Sequence, residues 1–136
     1  MEIRDGDYLF TDDVARIRLD EVCYLLKQSH WAANRRVETI AKTIETSRCF
    51  MVYRSDAQIG FARVVSDYAV YSLILDVIID DKHRGKGIGK KLVEFINDHP
   101  DLKSTAKVLW TKNAEQLYLK CGFKEEDRYK FMFNRP

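Results

Sequence analysis

The chemistry of this chain concentrates in one stretch, Asp80-Asp81-Lys82-His83-Arg84-Gly85-Lys86-Gly87-Ile88-Gly89-Lys90-Lys91-Leu92-Val93. Glycines at 85, 87 and 89 leave the backbone without Cβ atoms, so a ligand can approach it closely. The spacing of Ile88, Leu92 and Val93 then turns helical. The first turn of a helix holds about four N–H groups without partners, and these amides with the dipole behind them attract an anion. Arg84, Lys86 and Lys90 add mobile positive charge. The stretch predicts a cradle for a diphosphate. It is not a Walker A loop, because Arg84 stands where the first glycine belongs and Lys91 replaces the hydroxyl residue. It is not the dinucleotide fingerprint either, because Lys90 stands in place of the third glycine. The alternative is a glycine-rich strand-to-helix turn whose helix is capped by Asp80 or Asp81.

A second candidate is Asp76, the only charged residue in the run Tyr71–Ile79. A carboxylate buried without partners shifts its pKa upward, which would suit a general base near neutrality. The same residue also fits a carboxylate that binds an ammonium, or a structural aspartate hydrogen-bonded to a neighbouring strand.

Composition narrows the classes. The chain has 136 residues, with 23 Lys plus Arg against 21 Asp plus Glu, a formal charge of +2. Nothing in that balance draws the chain to nucleic acid or to an anionic membrane, so neither is expected as a partner. Hydrophobic residues make up 46% and charged residues 32%, which fits a globular domain and not a disordered one. The cysteines Cys23, Cys49 and Cys121 form no disulfide framework, and the histidines His30, His83 and His99 include no close pair, so no metal is expected. Leu73–Ile79 is too short to span a bilayer, and the first residues lack a secretory apolar run, which makes the cytoplasm the default.

The elements that must position these residues follow from periodicity. A short strand is expected at Tyr8–Phe10. Helices are expected at Leu19–Gln28, with Leu19, Val22, Cys23 and Leu26 on one face, and at Val37–Thr46, with Val37, Ile40, Ala41 and Ile44 on one stripe. Cys49–Tyr53 and Ile59–Val65 read as a hairpin around Ser55-Asp56-Ala57. Tyr71–Ile79 reads as a central strand buried on both faces. A helix at Ile88–Asn97, a strand at Val108–Trp110, a helix at Ala114–Cys121 stopped by Gly122, and a closing strand at Tyr129–Phe133 complete one domain over 1–136. This order gives an α/β (α+β) fold, a mixed sheet with helices packed on it.

Two spaced motifs carry a resemblance. Arg84-Gly85-Lys86-Gly87-Ile88-Gly89 resembles the Arg/Gln-x-x-Gly-x-Gly/Ala signature of the GCN5-related N-acetyltransferases (GNAT). Ala114-x-x-Leu117-Tyr118-x-x-Cys121-Gly122-Phe123 is similar to a downstream helix of the same family. The family's asparagine, three residues before that alanine, is Thr111 here, and its role is not carried over. Asn113, the nearest asparagine, stays in the candidate cofactor-binding set and with Gln116 also reads as a helix N-cap.

The resemblance implies a mostly antiparallel sheet flanked by about four helices. It also implies acetyl transfer from acetyl-CoA to a primary amine of a small molecule or peptide. The implied cofactor-binding residues are Val77, Ile78, Ile79, Arg84, Gly85, Lys86, Gly87, Ile88, Gly89, Lys90, Asn113 and Tyr118. The oxyanion donor would be a backbone N–H at a β-bulge near Val77. Tyr118 matches the tyrosine beside the leaving sulfur and is the candidate general acid, and Asp76 is the second catalytic candidate. Trp31, Asp67, Tyr68, Tyr71 and Asp76 are the candidates for the acceptor pocket. A homodimer through exposed edge strands is possible, and a catalytically silent acetyl-CoA sensor or scaffold is the competing reading.

Overall fold

The computed structural model describes residues 1–136. Its sheet has six strands in chain order: β1 (Glu2–Asp5), β2 (Tyr8–Thr11), β3 (Arg48–Arg54), β4 (Ala57–Ser66), β5 (Tyr71–Ile79) and β6 (Ala106–Val108). Every neighbouring pair is antiparallel except β5 and β6, which run parallel. A parallel pair needs a crossover, and α3 (Ile88–Asn97) supplies it. The helices α1 (Leu19–Leu26) and α2 (Val37–Thr46) connect β2 to β3, and α4 (Glu115–Leu119) follows β6. No helix is long and apolar enough to cross a membrane.

The sheet separates two apolar layers. On one face Val22, Leu25, Leu26 and Ile40 from α1 and α2 meet Met51, Phe61 and Ile78. On the other Ile88, Leu92, Phe95 and Ile96 from α3 meet Phe50, Val52, Val64 and Ile74. The expected α3 matches its observed bounds, and its apolar stripe is buried as anticipated. The stripes on α1 and α2 are narrower than expected. Leu25 replaces the exposed Leu19, and only Ile40 is fully buried in α2, because these helices cover just part of their sheet face.

One strand was not anticipated, and three expectations fail, among them Val108–Trp110, whose strand lies at Ala106–Val108 instead. Glu2–Asp5 forms an edge strand with no apolar pattern, carried by backbone pairing to β2. Tyr129–Phe133 forms no strand. Phe131 and Phe133 pack on Trp110, with ring centroids 5.0 and 5.3 Å away, so the aromatic alternation serves a side-chain cluster and not a ladder. Tyr71–Ile79 is not central. It lies second from the sheet edge, and its residues alternate between buried and partly exposed as far as Val77.

Gly60 in β4 lets β3 and β5 close over it. A Cβ there would sit 2.9 Å from both Val52 Cγ2 and Ile79 Cδ1. Gly60→Ala is therefore expected to lower stability by about 1–2 kcal/mol through overpacking, read as a lower denaturant midpoint at unchanged slope.

Candidate active site

The β5 strand kinks where the chemistry was expected. Phe61 pairs with Ile78 and Arg63 pairs with Leu75, so β5 carries one residue more than β4 across this interval. Asp76 takes a φ of +55°, and such a bulge re-aims the chain. In a regular strand residues four apart share a face. Here Ile74 joins the α3 layer and Ile78 joins the α1–α2 layer. The bulge thus falls beside Val77, at the expected position.

The parallel ladder between β5 and β6 covers only Tyr71–Leu73 against Ala106–Val108. From Ile74 to Ile79, β5 has β4 on one side and no strand on the other. That open edge leads from the bulge to the glycine turn.

The turn is pinned from three directions. The Tyr8 hydroxyl and His83 Nδ1 share a hydrogen bond of 2.9 Å. The Asp81 N–H donates to Gln28 Oε1 (2.9 Å), and Arg84 Nε donates to the Ile79 carbonyl (2.8 Å). Asp80 caps a short 3-10 turn through the Lys82 N–H and does not cap α3, so the aspartate-capped alternative does not apply. The residue before α3 is Gly87 at φ +77°, and no side chain caps the helix. Gly85 shares that φ, and a Cβ at either glycine would meet nothing within 4 Å. No side chain caps the first turn and neither glycine crowds it, which fits a diphosphate. The positive charge is less mobile than expected. Arg84 is tied to Ile79, and Lys90 Nζ lies 2.8 Å from Glu94 Oε1, while Lys86 has no ion pair.

Gly89 is where α4 approaches. A Cβ there would contact Ile79 Cγ1 and Leu117 Cδ1, both at 3.7 Å. Gly122 adopts φ +87°; its N–H donates to the Leu119 carbonyl and the Phe123 N–H donates to that of Tyr118. This double bond pattern is a Schellman stop, and its hydrophobic contact is the edge-on pair of Tyr118 and Phe123 at 5.8 Å. The Gly-Phe of the second motif thus holds the Tyr118 ring. Burial pushes the Tyr118 hydroxyl up to about 12, so it stays protonated at neutral pH. Asn113 does not cap α4, which begins without a side-chain cap; just before it the Ala114 N–H donates to Thr111 Oγ1 (3.0 Å).

Asp76 departs most from expectation. Its side chain is 3% exposed but fully partnered. Trp31 Nε1 donates to Oδ1 at 2.9 Å, and Arg35 Nη1 and Arg63 Nε donate to Oδ2 at 2.7 and 2.6 Å. Burial alone would raise its pKa, but the hydrogen bonds and charges of Arg35 and Arg63 outweigh burial and lower it. The expected upward shift is overturned, and with it the reason to assign Asp76 as a base. The missed partners had a signal: Arg63 is the only charge in the expected strand Ile59–Val65, and Asp76 is the only charge in Tyr71–Ile79.

The remaining acceptor candidates separate. Trp31 meets Asp76, whereas Asp67 and Tyr68 lie in the loop at the opposite end of β5. Asp67 accepts from the N–H groups of Ala69, Val70 and Tyr71, which assigns its carboxylate to holding that loop. With Tyr71, Leu73, Val65, Val108 and Trp110 it lines an open cavity of about 430 Å³. Tyr68 stands beside Arg48, away from that lining.

Asp76→Asn keeps a residue that tolerates positive φ while removing the charge between two arginines. It is expected to cost about 3 kcal/mol, as removal of one partner from a buried ion pair does. Because the folded-state pKa is lowered, the carboxylate's contribution is complete above the unfolded value near pH 4 and fades as pH falls through the folded value. Chemical denaturation of both proteins checks this: their stability gap should be flat from neutral pH to about pH 4 and shrink below it.

The comparisons with known proteins bear on the same residues. The family model described as an acetyltransferase (GNAT) domain matches residues 45–125, from the end of α2 past the Tyr118 helix. A Xanthomonas campestris pv. campestris crystal structure described as belonging to the GNAT family superposes with a TM-score of 0.84 at 28% identity, covering 93% of each chain. A Gibberella zeae protein with a provisional acetyltransferase name is 24% identical over 68% of this chain and 64% of its own length. Glucosamine 6-phosphate N-acetyltransferase of Arabidopsis thaliana is 43% identical over 36% of this chain and 34% of its own. The chain thus spans between about a third and two thirds of these curated relatives. A family match over more than half of the sequence, joined to a glycine turn opening α3 and a bulged β5 beside a parting strand, places the chain in the GNAT acetyltransferase family.

Proposed function

We infer that this protein moves the acetyl group of acetyl-CoA directly to an amine. The observation that carries the reading is the uncapped start of α3, with left-handed Gly85 and Gly87, next to the open edge of β5. In this reading the amides of α3 and the Lys86 ammonium hold the diphosphate, and the β5 edge from Val77 to Ile79 lies along the pantetheine arm. The acetyl thioester that acetyl-CoA supplies then sits by the bulge.

The chemistry needs a neutral amine, because an ammonium has no lone pair. Asp76 is too acidic to take that proton, so the first proton goes to water and the amine attacks as its free base. Nitrogen bonds to the carbonyl carbon, and the Val77 N–H donates to the developing oxyanion. The carbon–sulfur bond then breaks, nitrogen loses its second proton to water, and the departing thiolate takes one from water. Tyr118 donates a hydrogen bond to the departing sulfur. With its pKa near 12 it holds its proton more tightly than a thiol does, so it stabilises charge on sulfur without needing to surrender the proton first.

The competing reading, a silent acetyl-CoA binder, draws support from the ion-paired Asp76, which leaves no evident base. Held Tyr118 favours the enzyme. Thiol release against a panel of amines separates them, and glucosamine 6-phosphate, the acceptor named for the Arabidopsis relative, belongs in that panel. A cytoplasmic setting is part of the proposal, supported by three unpaired cysteines. A homodimer is a further part, supported by β6 having a strand partner on one side only.

Gly87→Glu fills the cradle, adds negative charge and strains a left-handed position; calorimetry should show acetyl-CoA binding abolished. Tyr118→Phe should lower kcat by about 10²-fold with little change in cofactor affinity. The wild-type pH–rate profile should rise as the amine deprotonates and show no descending limb from Tyr118 below about pH 11.

A further inference from the structure

The carboxylate at the bulge already accepts three hydrogen bonds, two of them from guanidinium groups. One oxygen of Asp76 accepts from Trp31, and the other accepts from both Arg35 and Arg63. Two guanidinium groups face one carboxylate, so this buried node carries a formal charge of +1. Arg63 spends a second donor on Ser47 Oγ at 3.3 Å. The Arg35 guanidinium has no protein partner other than Asp76, and its side chain remains 22% exposed. A guanidinium carries five N–H donors in a rigid fork. The other donors of the Arg35 fork have no protein acceptor, and part of this side chain reaches solvent, fixed in place from behind by a buried carboxylate.

The node has an apolar neighbour on the same face. Val64 and Ile74 belong to the α3 layer, so their strand neighbours Val65 and Leu73 point to the opposite, α1–α2 side. Arg63 is two residues from Val65 and shares that side. Leu73 lines the open cavity with Val65, Tyr71, Val108 and Trp110. It is three residues along β5 from Asp76, about 10 Å in strand geometry. A molecule lying along β5 on this side meets an apolar, aromatic-walled floor at one end and the Arg35 fork at the other. Trp31, 45% exposed, stands at the charged end.

We propose that the acceptor is an amine that also bears an anionic group, a carboxylate or a phosphate, which Arg35 binds beside the β5 bulge. This rests on the acetyl-transfer reading for its chemistry but makes a separate claim about recognition. A fixed cation repels a second positive charge and rewards an anion, so plain amines and polyamines are poor acceptors here. A forked donor backed by Asp76 suits the paired oxygens of either anion.

Matched pairs test it: phenethylamine against phenylalanine, and glucosamine against glucosamine 6-phosphate. The first pair reports a carboxylate and the second a phosphate. The anionic member of at least one pair should have a kcat/KM at least tenfold higher, and in Arg35→Gln that ratio should fall toward one. Arg35→Lys, which keeps the charge and loses the fork, should give an intermediate ratio and serves if the glutamine variant does not fold. Equal or better use of the members that lack the anion overturns the proposal, as does a ratio that Arg35→Gln leaves intact. Calorimetry of the same amines with the coenzyme A-loaded protein needs no turnover. Anion-selective binding without transfer would sink the enzymatic reading and keep this one, whereas binding indifferent to the anion, or absent for every anionic member, would sink this one.

Discussion

A left-handed aspartate fixes the geometry of the whole working edge. Asp76 at φ +55° sits in a region that costs a residue other than glycine on the order of 1 kcal/mol. It persists because its carboxylate is clamped by Trp31, Arg35 and Arg63. The kink reverses the alternation of β5, so that Ile74 and Ile78 fill opposite layers. It also lies in the part of β5 that has lost β6 as a partner. The charged node thus ties the α1–α2 connector to the strand beside which the acetyl group would sit.

The diphosphate turn depends on a different device. Its residues lie at the end of the kinked strand and are held by Tyr8, Gln28 and the Ile79 carbonyl. Two left-handed glycines then deliver the chain to α3 with no side-chain cap on its first turn. Gly89 lies against Ile79 and Leu117, so cofactor turn, strand end and Tyr118 helix share one packed corner. A net charge of +2 on the chain says nothing of this corner, because the attraction is made by oriented amides and a few local cations.

Much of this was legible in the residues. The α3 boundaries follow from a clean apolar period and the glycines before it, and Gly122 marks the end of α4 because a left-handed stop needs glycine. The bulge was anticipated only by resemblance, since no residue type in Leu75-Asp76-Val77 demands one. The Asp76 environment was misjudged because its partners come from β4 and from a connector distant in sequence, and periodicity does not report ion pairing. Glu2–Asp5 lacks any apolar signal because its ladder is made by backbone alone. Tyr129–Phe133 has the alternation of a strand, yet its rings stack on Trp110, and on each other at 4.7 Å. Alternation cannot distinguish a face that packs in a ladder from one that packs in a cluster.

Amide resonances observed while acetyl-CoA is titrated into the labelled protein would test the central claim most directly. The account predicts saturable shifts concentrated at Gly85, at residues 87–90 and at Val77, with the strands β1 and β2 silent. Saturable binding that leaves the α3 amides and Val77 unmoved, or no binding at all, would contradict it.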